Sequence, residues 1–437
     1  MKLPESVQGC LSRLEEAGYA CYAVGGCVRD WLLGRTPQDY DLCTAATPEQ
    51  IRAVFAGERL VLAGEKHGPV GIVTKGGVVE ITTFRTEGGY GDNRHPDWVQ
   101  FVPDVESDLA RRDFTVNAMA WSPTRGLCDP FGGQQDLKDR ILRAVGDPAT
   151  RFREDSLRIL RGVRFAVRYQ LIPDSKTLEA MTELAPLMDH LARERVFEEL
   201  CKLLPLVSAE DLKRFVPVLA QVLPDLKPMV GFDQRSPHHA YDVFTHTAHV
   251  TAAVPSDLVL RWAALLHDTG KVPCFTTDET GRGHFYGHAQ QSAQMADALL
   301  RQLKAPTALR EQVVELIDMH MTKIPAEKKL VRRWLSKLGL QRLRNLWCLQ
   351  KADTSSKGIC KDEELQHFVE LDALLEEVLA EDACLQIKDL AIDGKDLMAL
   401  GYHGPDIGKI LNALLEQVLD EQIPNDRAAL LAAIEEL

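Results

Sequence analysis

Apolar positions in the first third of the chain change period repeatedly, and the changes predict a mixed fold. Residues 3 to 18 place apolar residues at helical spacing and stop at Gly18, which predicts one amphipathic helix. Tyr22-Ala23-Val24 predicts a short apolar strand. Gly25-Gly26 follows at once, and Val28-Arg29-Asp30-Trp31-Leu32-Leu33 opens with helical spacing. Residues 46 to 56 predict a second helix, with Thr47 as N-cap and Pro48 at its first position. Strands are expected at 60–62, 70–73 and 78–84, with Gly64 and Gly76-Gly77 marking turns. Residues 85 to 98 are polar and glycine-rich without an apolar period, which predicts a mobile loop. Helical spacing dominates from 151 onward. Pro217, Pro224 and Pro228 punctuate the run 174–235 and suggest a module boundary near 235. A long helix is expected at 409–421. No internal repeat or low-complexity tract appears.

Several of these elements carry chemistry. A strand, two glycines and a helix start let backbone N–H groups approach an anion, and Arg29 adds a positive charge one turn in. Asp39 and Asp41 flank Tyr40. On a strand, side chains two apart share a face, so the two carboxylates would stand together. Paired hard oxygen ligands suit Mg²⁺ with substrate phosphates. Two such ions, roughly 3.5–4 Å apart, serve nucleotidyl transfer. Taken singly, a Gly-Gly is commonly a turn and an Asp-x-Asp a solvated loop; their conjunction is what points to a site. The paired arginines of Arg111-Arg112-Asp113, ahead of a helix with Thr115 and Asn117, would neutralise a triphosphate. Asp129-Pro130-Phe131-Gly132-Gly133 reads as a tight turn.

Between Arg151 and Arg168 one helix is expected. Arg158, Arg161, Arg164 and Arg168 recur on one face of it, while Leu157, Leu160, Val163 and Val167 point inward. Asp155 lies three residues before Arg158 and is expected to pair with it. A carboxylate that accepts from an exocyclic amine, beside a guanidinium that donates to a ring acceptor, selects adenine and cytosine over guanine and uracil.

Composition narrows the class. At 437 residues, with 45% hydrophobic and 26% charged positions, the chain reads as about three globular domains. No apolar run is long enough to span a bilayer. The first twenty residues lack a signal-peptide core. Ten cysteines without C-x-x-C pairs favour reduced thiols, and a cytoplasmic location is expected. A net charge of −13 argues against indiscriminate nucleic-acid binding, so any RNA contact must be local.

The series GG-x-VRD, Asp39-x-Asp41, RRDFT-x-NA at 111–118, Asp129–Gly133 and Glu154-Asp155-x-x-Arg158 resembles the bacterial class II tRNA nucleotidyltransferase and poly(A) polymerase family. The resemblance implies an α+β protein: a small polymerase-β-type sheet domain, then a mostly helical neck, body and tail. It divides the chain as head 1–140, neck 141–206, body 207–235, a helical insert 236–355 and body/tail 356–437. It implies Asp39 and Asp41 as catalytic Mg²⁺ ligands, with Glu80 a third acid. Nucleotide contacts fall to Gly26, Arg29, Arg112, Asp155, Arg158, Arg161 and Arg164. Glu194-Arg195-Val196-Phe197-Glu198-Glu199-Leu200 resembles the family's neck support. A flexible loop at 85–98 goes with full CCA addition in that family. The implied partners are the 3′ end of tRNA with CTP and ATP, and no membrane.

The insert adds a second resemblance. Arg261 to Lys271 is an apolar helix ending in His267-Asp268-Thr269-Gly270-Lys271, similar to the HD phosphohydrolase superfamily. That implies a divalent-metal site of His246, His267, Asp268 and Asp353, with His288 and His320 for a second ion. Ni²⁺, Mn²⁺, Fe²⁺ or Mg²⁺ would suit it. After it, Ile392-Asp393-Gly394-Lys395-Asp396-Leu397 resembles the start of the family's tRNA-gripping tail. Three alternatives stay open: a poly(A) polymerase or A-adding enzyme, an RNA-binding protein without catalysis, and an HD hydrolase with the head as nucleotide sensor.

Overall fold

The computed structural model describes residues 1–62, 69–88, 98–237, 240–358, 362–381 and 384–435. It divides into two compact units, one of Met1–Val207 with Arg214–Pro224, the other of Ser208–Lys213 with Asp225–Leu437.

The first unit begins with α1 (Glu5–Glu16), β1 (Cys21–Val24), α2 (Gly26–Leu32), β2 (Asp41–Thr44), α3 (Pro48–Val54), β3 (Leu60–Leu62), β4 (Val70–Thr74) and β5 (Gly77–Thr83). Helix α1 buries Val7, Cys10, Leu11 and Leu14, one stripe of the predicted amphipathic pattern. Thr47 caps α3 through a capping box with Gln50, and Pro48 takes the first turn as expected. The run expected to be loop, 85–98, begins with β6 (Arg85–Gly88), which pairs antiparallel with β7 (Trp98–Phe101). Arg85-Thr86-Glu87-Gly88 holds no apolar residue, so no alternation marks it as a strand. Residues 89–97 between them, and the turn expected at Gly64, lie outside the described residues.

The unit continues with α4 (Val105–Ala110), β8 (Ala120–Ser122), β9 (Gly126–Cys128), α5 (Gly133–Asp139) and β10 (Ile141–Leu142). Then come α6 (Pro148–Glu154), α7 (Leu157–Tyr169), β11 (Ile172–Pro173), α8 (Ser175–Glu183), α9 (Arg193–Leu203) and α10 (Ala209–Val222), of which the part up to Lys213 falls in the second unit. Seven strands form one sheet in the order β3-β4-β5-β2-β1-β8-β9. Its one parallel pair, β2 with β5, sets Asp41 opposite Glu80. Tyr22, Val24, Cys43, Phe84, Leu109, Ala118 and Ala120 pack as its core. Pro217 sits inside α10 without ending it.

The second unit is helical: α11 (Val243–Ala253), α12 (Leu258–Leu266), the short pair β12 (Thr276–Thr277) and β13 (Gly283–His284), α13 (His288–Gln302) and α14 (Thr307–Met319). They are followed by α15 (Lys328–Leu338), α16 (Leu340–Ser355), α17 (Asp362–Ala380), α18 (Gly394–Ala399), α19 (Pro405–Leu419) and α20 (Arg427–Ile434). The expected 409–421 helix starts four residues earlier, because Gly404 and Pro405 supply its N-cap and first position. Leu390, Leu397, Leu411, Leu414 and Leu430 hold the last three helices together. The described cysteines are all free, as expected. Among the described residues no helix is long and apolar enough to cross a membrane.

Candidate active site

The glycine turn after β1 opens the site. Gly25 has φ +76° and ψ −123°, a conformation that strains any residue with a Cβ. Its N–H donates to the Met119 carbonyl (3.0 Å) and so is not left for an anion. Its carbonyl accepts the Val28 and Arg29 amides, which starts α2. A Cβ on Gly25 would lie 2.9 Å from Arg112 Nη1. The glycine therefore lets the Arg112 guanidinium approach the turn.

Asp41 begins β2, but Asp39 lies two residues before it, off the sheet. The shared-face argument thus applies to Asp41 and Glu80 across two strands, not to Asp39 and Asp41 along one. Asp41 feels both of the other acids. Burial pushes the Asp41 carboxyl above its usual range, Glu80 and Asp39 add to this, and Arg112 opposes it.

The expected 151–168 helix is two helices. Asp155 is extended (φ −141°, ψ 102°), and α7 restarts beyond it. Asp155 Oδ1 accepts the Leu157 amide (3.1 Å) in place of a continued helix. The break also changes the partners. Asp155 pairs with Arg195 (3.0 Å), whereas Arg158 pairs with Glu154 (2.7 Å) and gives Nη2 to the Arg111 carbonyl (3.1 Å). The expected Asp155–Arg158 pair is therefore absent. Its members are held separately, each with hydrogen-bonding capacity left.

The remaining arginines divide into held and available. Arg161 donates twice to buried Asp113 (2.9 and 2.6 Å). Arg164 donates to buried Glu199 (2.6 Å). Arg29 is buried against Tyr169, with Nε, Nη1 and Nη2 donating to Asp30, the Asn117 side-chain oxygen and the Tyr169 hydroxyl. Arg111 is taken by Asp108 (2.8 Å) and Glu87 (3.3 Å). Arg112 has only a 3.4 Å contact with Asp108, and its buried Nε has no acceptor. Of the predicted phosphate ligands, Arg112 is thus the one most free to act.

These side chains surround one cleft of about 430 Å³. Gly25, Gly26, Asp41, Arg112, Asp113, Asp155 and Arg158 line it, together with Arg29, Arg161, Arg164, Arg168 and Arg195. Eight arginines face three aspartates there. A chain of net charge −13 has concentrated positive charge in one concavity, as a polyphosphate site requires. Sequence reasoning gave no role to Tyr169, and placed Arg195 and Glu199 only in a segment resembling the family's neck support. Their separation from the groups they hold, Arg29, Asp155 and Arg164, carries no local signal.

The second unit brings the predicted HD residues together. His246 comes from α11, His267 and Asp268 from the end of α12, His288 from the start of α13, His320 from the end of α14 and Asp353 from α16. His246 Nε2 is 2.8 Å from Asp353 Oδ1, and His267 Nε2 is 3.2 Å from Asp268 Oδ2. His288 Nε2 is 3.5 Å from Asp268 Oδ1. A Cβ on Gly270 would lie 2.5 Å from the His288 carbonyl, so glycine there permits the approach of α13.

Each of the four histidines places Nδ1 against a backbone carbonyl. The acceptors are Ser356 (3.2 Å), Ala264 (2.8 Å), Phe285 (2.8 Å) and Ile317 (2.6 Å). With Nδ1–H donating, every Nε2 presents a lone pair to the centre. His288 Nε2 is buried without a hydrogen-bond partner. Burial holds His320 down at about 3 and lowers His288, which keeps both neutral. Among the described residues, the groups of three or more ligand atoms within 4.8 Å of one another are His246-His267-Asp268 and Asp268-His288-His320, both in this unit. A donor set of imidazoles and carboxylates fits a divalent transition metal.

The sheet unit is that of a nucleotidyltransferase. Residues 21–143 match the poly A polymerase head domain, 171–212 a probable RNA- and SrmB-binding site of polymerase A, and 275–434 a putative tRNA nucleotidyltransferase domain 2. The CCA-adding enzyme of Streptococcus thermophilus is 32% identical over 99% of this chain and 98% of its own. That of Levilactobacillus brevis is 34% identical over 98% and 97%. The crystal structure of the Bacillus stearothermophilus CCA-adding enzyme in complex with CTP aligns at 28% identity and a TM-score of 0.71, covering 100% of this chain and 98% of that one. The chain belongs to the family of CCA-adding enzymes.

Proposed function

We propose that the cleft of the first unit adds or repairs the CCA end of tRNA by template-free transfer of CMP, CMP and AMP from CTP and ATP. The observation that carries this is the single cleft lined by Asp41, Arg112, Asp155 and Arg158, within one folded unit. Asp39 and Asp41, with Glu80 beside them, would hold Mg²⁺. The clustered hard oxygens fit it, since their mutual repulsion is the kind a cation relieves. Bound there, two ions would activate the attacking hydroxyl and neutralise the leaving group.

The chain's own residues do the rest. The tRNA 3′-oxygen forms its bond to the α-phosphorus, the α–β phosphoanhydride breaks, and pyrophosphate leaves with Arg112 facing its charge. Asp155 accepts from the exocyclic amine of cytosine or adenine, steadied from the side by Arg195. Arg158, fixed by Glu154 and the Arg111 carbonyl, donates to the adjacent ring acceptor. Held apart by the helix break, the two groups face a base rather than each other. In this reading 1–140 is the head, 141–206 the neck, 207–235 the body, 236–355 the HD domain and 356–437 the body and tail.

Incubation with tRNA lacking its end, labelled CTP and ATP, and Mg²⁺ tests the proposal. Incorporation of both nucleotides is expected. Extension of generic RNA by ATP alone, with CTP ignored, would establish a poly(A) polymerase instead. Tight tRNA binding without incorporation would leave an RNA-binding protein.

The buried cluster of the second unit favours a second activity, metal-dependent phosphoester hydrolysis. His246, His267, Asp268 and Asp353 would hold one divalent ion, and His288 with His320 would take part in a second. A bound ion would supply an activated water. Lys271, 2.7 Å from Asp268, and Lys357, 3.5 Å from Asp353, border the cavity and are placed to meet a phosphate. Metal content after dialysis against Ni²⁺ or Mn²⁺, compared with Asp268→Ala, checks the site independently of turnover.

A further inference from the structure

Three guanidinium groups surround the ring of Tyr169, the last residue of α7. Arg29 lies 4.1 Å from the ring centroid, Arg35 5.2 Å and Arg168 5.5 Å. Arg29 is buried and fully partnered, as described above. The other two differ. Arg35 and Arg168 are both exposed, and among the described residues neither has a hydrogen bond from its side chain or an ion pair. Arg35 reaches its place because Gly34 (φ +71°) turns the chain off the end of α2, and the Arg35 amide fastens that turn to the Asp30 carbonyl (2.8 Å). Asp30 itself is committed to Arg29.

Most other arginines of this region are neutralised by a carboxylate. Two that converge on one aromatic platform without one are placed for an anion from outside. Guanidinium forks match phosphate oxygens, and the ring beneath limits the freedom they lose on binding. Arg168 lines the nucleotide cleft, whereas Arg35 lies outside its lining. The pair therefore runs from the cleft edge toward solvent. An incoming nucleotide has Arg112 for its triphosphate, and the exposed pair at this edge is open to a strand whose 3′ end reaches the cleft.

We propose that Arg35 and Arg168, on the Tyr169 platform, bind phosphodiester groups of the RNA strand just behind its 3′ end. The inference rests on the reading of the cleft as an RNA-extending site.

Arg35→Ala, Arg168→Ala and the double variant test it on the full chain. Affinity for tRNA lacking its CCA end is measured by fluorescence anisotropy between about 50 and 200 mM salt, and KM is measured separately for tRNA and CTP. The double variant should bind tRNA at least tenfold more weakly, with KM for tRNA raised more than KM for CTP. Its slope of log K against log salt should flatten by about 0.7 for each lost single-strand phosphate contact. Lysine at both positions should recover most of the slope, because charge is retained. A raised KM for CTP with an unaltered tRNA slope would assign the pair to the triphosphate and overturn the inference, as would no change in either. Wild-type protein that neither binds nor extends tRNA would overturn the functional reading as well. Wild-type extension with an unaltered slope in the variants would overturn this subsite alone.

Discussion

Replacing Asp113 with asparagine should weaken the first unit by about 2 to 3 kcal/mol at neutral pH. Asp113 is buried and accepts from Arg161 twice, from the Asn117 amide (3.1 Å) and from the Phe114 N–H (2.9 Å). Burial by itself disfavours its charge. Arg161, Asn117 and then Arg158 outweigh burial and lower its pKa from 3.8 to about 2. That difference is worth about 2 to 3 kcal/mol of stability in the ionised state. Loss of a buried ion pair costs about 3–5 kcal/mol, and partial exposure of Arg161 places this one at or below the lower end. The two routes agree. A group with a depressed pKa stabilises above its unfolded value and loses that contribution as pH falls through its folded value. The wild-type advantage should therefore hold from pH 7 to about 5 and shrink as pH drops from about 4 toward 2. Urea unfolding of both proteins across this range measures it, with hydrogen exchange locating the weakening in α7. Equal stability at pH 7, or a difference that ignores pH below about 4, would refute the electrostatic argument.

Three further outcomes follow from the same geometry. Gly25→Ala should lower kcat/KM for CTP at least tenfold, about 1.4 kcal/mol, because its Cβ would displace Arg112 from a strained turn; steady-state kinetics check this, and a normal kcat/KM would show that Arg112 does not need the turn. Arg195→Ala should admit GTP and UTP more readily by freeing the Asp155 carboxylate, at a cost of about 1.5–3 kcal/mol for the lost charged hydrogen bond; unchanged discrimination in single-nucleotide assays would make Arg195 a support only. Asp268→Ala should abolish metal-dependent phosphatase activity and bound metal while sparing CCA addition; loss of CCA addition would show that the two sites are not independent.

Much of this was legible in the sequence, for physical reasons that differ by element. The strands β1 to β5 and the capped helix α3 follow from local period and cap chemistry, which act within a few residues. The HD residues could be named in advance because their order along the chain is fixed, even though the site joins five helices. What the sequence hid was partner choice. Asp113 and Arg161, Glu199 and Arg164, and Asp155 and Arg195 are each separated by 35 residues or more. Helical spacing suggested instead that Asp155 would pair with Arg158, and the break at Asp155 ruled that out. The same gap explains Arg29: its position after the glycines marks it as a phosphate ligand, and only the fold shows its donors already committed. Asp39 was misplaced on the strand because Asp-x-Asp fits an alternating pattern whether or not pairing reaches the first residue.

The central claim is that side chains, without a nucleic-acid template, choose the bases added in the first unit's cleft. Offering all four nucleoside triphosphates together to tRNA that lacks its end, then sequencing the product 3′ termini, tests it most directly. The account predicts termini that stop at CCA, and in Asp155→Ala a mixture that includes guanine and uracil. Homopolymeric tails, or Asp155→Ala termini as faithful as the wild type, would contradict it.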